Sequence, residues 1–118
     1  MTQKTALILD DDLGFSMWLG RALNEAGIRG LPVSSAMEAL AILANSSFAP
    51  IDLVIANFQL EDSREVLDTL TAQGSPYKVI SIGTGGKRPV DGTIRRPRGK
   101  SLPPVDRYGK VVRDVLAG

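Results

Sequence analysis

The chain contains no cysteine, which removes disulfides, thiolate metal sites and cysteine nucleophiles together. It contains no histidine either, so zinc hydrolase sites, Ser-His-Asp triads and histidine phosphotransfer each lack a residue they require. No apolar run approaches the roughly 20 residues of a membrane span. The N-terminal Met-Thr-Gln-Lys leads directly into a short apolar stretch that ends in aspartates, unlike a signal peptide. A soluble, cytoplasmic protein is therefore expected. Charge of one sign is also missing, because 14 Lys and Arg stand against 13 Asp and Glu. The total thus argues for neither a nucleic-acid coat nor an acidic tail. Its distribution is less even: Lys87, Arg88, Arg95, Arg96, Arg98 and Lys100 share their segment with Asp91 alone.

What is present reads as one α/β domain over residues 1–118, with 43% hydrophobic residues to form a single core. Thr5 to Leu9 is a short apolar run of the kind buried on both faces of a sheet. It ends at Asp10-Asp11-Asp12, where Asp12 is placed to cap a helix. Phe15, Trp18, Leu19, Ala22, Leu23 and Ala26 then recur at helical spacing until Gly27 stops them. Ile28 to Val33 reads as a strand that Pro32 assigns to an edge. Ser35 and Glu38 form a capping-box pattern ahead of a second helix. Ile51 to Ala56 is a second buried-type strand ending at Asn57, and Ser63 is placed to cap a third helix through about Ala72.

Tyr77 to Ile82 predicts a further strand, after which the rhythm stops. Gly83-Thr84-Gly-Gly-Lys87-Arg88-Pro is turn chemistry, and residues 83 to 92 are expected to form no regular helix and to be mobile. A brief strand around Thr93-Ile94 follows, and Pro103-Pro104 introduce a last helix with Val105, Tyr108, Val111, Val112, Val115 and Leu116 in register. Strands alternating with helices predict a doubly wound parallel sheet of five strands. In such a sheet the chemistry lies beyond the carboxyl ends of the strands. Those ends carry Asp10, Asp11, Asn57, Gly83, Thr84 and Arg96.

At this point the sequence resembles the receiver domain of response regulators, the chemotaxis-regulator-like family. Leu7-Ile-Leu-Asp-Asp11 matches the family's first strand with its acidic pair. Asp52-Leu-Val-Ile-Ala-Asn57 matches the strand that delivers the phospho-acceptor, and Arg96-Pro97 stands where the family has Lys-Pro. The resemblance implies a flavodoxin-like strand order of 2-1-3-4-5. It also implies a site in which three carboxylates gather magnesium, one attacks phosphorus, and a lysine and a hydroxyl hold the transferred group. Asp10 and Asp11 fall on the metal-binding pair, and Asn57 falls on the attacking carboxylate. The hydroxyl position falls on Gly83, with Thr84 beside it, when the run Val79 to Ile82 sets the register, or on Ser81 when Pro76 sets it. Arg96 replaces the lysine and Glu61 the proline after the acceptor loop. The fourth helix of about 11 residues has too little room and is expected to be replaced by a loop.

An amide oxygen lacks the charge of a carboxylate, so no stable acyl phosphate is expected at Asn57. The resemblance then implies a pseudo-receiver: not an enzyme, requiring no cofactor, binding magnesium weakly or not at all. Its partner would be a protein of a two-component pathway, whether histidine kinase, attached output domain or regulator. Arg96 is expected either to bridge to Asp10 or Asp11 in place of a cation or to lie close enough for solvent to connect them. Lys87, Arg88, Arg95, Arg98 and Lys100 are candidates for a partner-binding loop, although a solvated mobile loop is the plainer reading of that charge. The rival is an active phospho-acceptor with magnesium, which requires either a neighbouring carboxylate such as Asp62 to serve or Asn57 to be an introduced substitution. A flavin- or nucleotide-binding enzyme would keep the fold, but the glycine-rich stretch fails the phosphate-loop pattern at Ser81 and Arg88.

Overall fold

Every residue of Thr5–Leu9 (β1) is buried, as an apolar strand must be when helices cover both faces of its sheet. The computed structural model describes residues 3–44, 51–60, 62–72, 74, 77–83, 90–95 and 105–117. After β1 come Leu13–Glu25 (α1), Arg29–Val33 (β2), Ala36–Leu43 (α2), Leu53–Ala56 (β3) and Ser63–Ala72 (α3). Lys78–Ile82 (β4), Gly92–Ile94 (β5) and Val105–Ala117 (α4) complete the order. All four strand pairings are parallel, and the five strands run β2-β1-β3-β4-β5. β2, with Pro32, occupies the expected edge, and β1 and β3 lie inside.

Local chemistry explains the element ends. Asp12 accepts the Phe15 N–H at 3.1 Å and caps α1. At the other end Gly27 takes φ +84°. It lets its own N–H reach the Asn24 carbonyl and the Ile28 N–H reach that of Leu23, a Schellman closure. Ser35 caps α2 through the Glu38 N–H at 3.1 Å. The Glu38 carboxyl group, however, turns to the N–H and hydroxyl of Ser34 instead of completing the reciprocal box on Ser35.

The two faces of the sheet bury separate clusters. Ala6, Ile8, Leu53, Ile55, Ile80, Ile82 and Ile94 meet α1 and α4 on one side. Leu7, Leu9, Val33, Val54 and Ala56 meet α2 and α3 on the other. The first includes a cluster of three rings, in which Tyr108 stands edge-on to Phe15 and to Trp18 with centroids 6.2 Å and 5.3 Å away. Both Trp18 and Tyr108 therefore serve packing, as their spacing implies. α1 comes so close to β2 that a Cβ on Gly30 would lie 2.8 Å from the Gly20 Cα.

Among the described residues no helix lies between β4 and β5. Gly83, Val90 and Asp91 are non-helical and Gly92 opens β5; residues 84–89 lie outside the described residues. No described helix is long and apolar enough to cross a membrane.

Candidate functional site

β1 and β3 pair so that Leu9 stands beside Ala56. The next residue of each strand, Asp10 and Asn57, therefore leaves the sheet side by side. The Asn57 N–H continues the ladder to the Leu9 carbonyl at 2.9 Å, and the Asp10 N–H reaches Val33 of β2 at 3.3 Å. Asp10 is fully buried, whereas Asp11 and Asp12 are exposed. The acidic triplet is thus split, with one carboxyl group in the site, one at the surface and one serving as a helix cap.

The Asn57 side chain is held at both ends. Its Oδ1 accepts the Gln59 N–H at 3.0 Å, the local turn bond for which Asn is favoured at strand ends. Its Nδ2 donates to Asp10 Oδ1 at 3.3 Å. The backbone N–H of Gln59 can only donate, so the oxygen of the amide must face it, and the NH2 must face Asp10. The Asn57 carbonyl in turn accepts the Leu60 N–H and the Ser63 hydroxyl, each at 3.1 Å.

Ser63 corrects a sequence expectation. It is the first residue of α3 and is buried, and its hydroxyl donates to Asn57 and Leu60 carbonyls in place of accepting an N–H as a cap. The reason is the preceding Asp62, which takes φ +66° and turns the chain so that the helix begins at Ser63 itself. No spacing rule signals such a contact, because it depends on the loop conformation. Gln59 was missed for the same reason.

Across the sheet Ala56 pairs with Ser81, so Asn57 comes level with Ile82. Asn57, Gln59, Ile82 and Gly83 line a cavity of about 200 Å³. Of the two candidates for the hydroxyl position, Gly83 thus borders the cavity beside Asn57. Ser81 is buried, with its hydroxyl 3.0 Å from that of Thr93 on β5 and donating to the Gly83 carbonyl at 3.3 Å. Arg95 follows β5 as an exposed residue whose carbonyl accepts the Tyr108 hydroxyl at 2.6 Å. Thr84, Lys87, Arg88, Arg96, Arg98 and Lys100 lie outside the described residues, as does the expected pairing of Arg96 with Asp10 or Asp11.

Chemically, this strand end offers one buried carboxyl group, one carboxamide and a small cavity. Magnesium prefers an octahedron of hard oxygen ligands. Where the resemblance places that ion, the amide presents hydrogens to Asp10, and its oxygen is committed to Gln59. The described residues do not fit a three-carboxylate magnesium site, and they contain no cluster of three or more metal-ligating side chains.

Comparison with known proteins places the fold. No family model matches the chain, and no curated protein matches it in sequence. Solved structures match over nearly its whole length. A response regulator from Thermotoga maritima is 17% identical with a TM-score of 0.75, over 99% of this chain and 100% of that one. The chemotaxis response regulator CheY4 of Vibrio cholerae is 16% identical with a TM-score of 0.72, over 97% and 99%. A response regulator receiver protein from Burkholderia phymatum is 22% identical with a TM-score of 0.71, over 98% and 96%. The chain has the flavodoxin-like fold of receiver domains.

Proposed function

We propose that the chain is a receiver-like signalling module of a bacterial two-component pathway, working in the cytoplasm through protein contacts without accepting a phosphoryl group. The observation that carries this reading is Asn57. It stands at the end of β3, beside the buried Asp10, and presents an amide that is neutral and not nucleophilic. Transfer to a carboxylate needs a lone pair that attacks phosphorus; the carboxamide oxygen here is instead held by a backbone N–H. The module would bind and not turn over, and would require no cofactor.

The rival, an active acceptor, needs a different carboxylate. Asp62 is exposed and immediately precedes α3. Intact-mass measurement after incubation with acetyl phosphate and magnesium separates the two readings. We expect no phosphoryl adduct on the unmodified chain; an adduct there would establish the active acceptor.

For partner contact the basic segment supplies the candidates, with Arg95 exposed at the end of β5. Reversing Arg95 and Arg98 to Glu should weaken binding to an acidic partner protein most strongly at low salt, and leave the unfolding midpoint in place. A double variant that binds as tightly as the unmodified chain at low salt would remove this segment from the docking surface.

A further inference from the structure

The groups around Asn57 imply more than the loss of a nucleophile. All four of its polar groups are engaged: the N–H with Leu9 and the carbonyl with Leu60 and Ser63, the Oδ1 with Gln59 and the Nδ2 with Asp10. One residue thereby ties the end of β1, the end of β3 and the start of α3 together. In a site with carboxyl groups at both positions, two like charges would face each other at this separation, and an ion between them would offset the repulsion. In this chain the amide hydrogens make that contact directly.

We infer that Asn57 is an internal latch whose amide takes the place of a divalent cation, so that the conformation of this strand end is set without any ion. The inference rests on reading the chain as a pseudo-receiver and adds how its site is regulated: it is held in one state. Orientation is the critical point. Flipping the amide would orphan the Gln59 N–H and set Oδ1 against the Asp10 carboxyl group, so the surrounding bonds select the latched form. An Asp in this position could keep the Gln59 bond, but it would lose the donor to Asp10 and add a charge beside it.

The test compares the whole unmodified chain with Asn57→Asp and Asn57→Ala. Thermal midpoints are followed by fluorescence of the single tryptophan, Trp18, in chelator and in millimolar magnesium. The unmodified chain should melt at the same temperature in both. Asn57→Ala should fall by about 5 °C in both, since it removes the donor to Asp10 and the acceptor for Gln59 without restoring a ligand. Asn57→Asp should fall by about 5 °C or more in chelator and recover much of that loss in magnesium.

A magnesium-dependent rise in the unmodified chain would overturn the latch. So would an Asn57→Asp variant as stable in chelator as the parent, or an Asn57→Ala variant with an unchanged midpoint. If Asn57→Asp does not fold, the magnesium response of the unmodified chain decides together with Asn57→Ala. The acetyl phosphate assay reports independently on the functional reading. An adduct on an unmodified chain whose midpoint ignores magnesium would refute the pseudo-receiver and leave the latch standing.

Discussion

The two faces of the sheet are built differently, and they draw on different strands. The face under α1 and α4 draws apolar side chains from all four of β1, β3, β4 and β5, and it holds the three-ring cluster. The face under α2 and α3 draws its buried residues from β1, β2 and β3. From β4 it receives only the partly buried Val79 together with Ser81, which faces the hydroxyl of Thr93 on β5. A sheet face covered by a helix is filled with apolar side chains, because each buried methylene contributes about 0.8 kcal/mol. β2 is missing from the first cluster although α1 lies against it, because Gly30 lets the two backbones approach closely there. Among the described residues the apolar filling of the second face reaches no further than Val79 of β4.

Adjacent residues of β4 give the sharpest way to break this comparison. Ile80 is fully buried on the first face and Val79 only partly on the second. Ile80→Ala should cost about 4 kcal/mol in a urea titration. Val79→Ala should cost about 1 kcal/mol, since part of the removed surface is already wet. Similar losses at the two positions would mean that the second face is closed over β4 as firmly as the first.

A smaller effect should come from the seam that joins α4 to β5. Tyr108→Phe keeps the ring cluster and removes the hydroxyl that reaches the Arg95 carbonyl at 2.6 Å. A loss of about 1 kcal/mol is expected, because the carbonyl is left without that donor. No measurable loss would mean that water replaces the hydroxyl there. The smallest change is expected for Ser81→Ala. The Thr93 side that remains is exposed and can turn to solvent, so the unfolding free energy should fall by less than about 1 kcal/mol. A larger loss would show that the hydroxyl pair, and not the apolar packing, holds β4 to β5 on this face.

How much of this was legible in the sequence follows from the range of each interaction. Asp12, Ser35 and Gly27 were readable as helix ends because their partners lie within five residues, and the structure places each bond where the spacing puts it. Pro32 was readable as an edge residue because a missing N–H is a property of the residue itself. The split of Asp10 from Asp11 was not readable, because β1 is buried on both faces and both residues lie beyond its end. Ser63 was misread because a serine before an apolar stripe signals a cap, and only the turn at Asp62 reverses its hydroxyl.

The sequence by itself determined the order of elements, the edge position of β2 and the amide at position 57. All three depend on residue type and on periodicities of two and 3.6 residues that any chain of this pattern obeys. The tertiary structure alone decided what that amide does. Asp10 and Asn57 are 47 residues apart, and they meet because β1 and β3 pair with Leu9 beside Ala56. The direction of the amide was settled by a further contact, the Gln59 N–H, which leaves the NH2 group to face the buried carboxyl group. A donor and an acceptor at known positions in a chain do not specify an interaction until the register of the sheet brings them together.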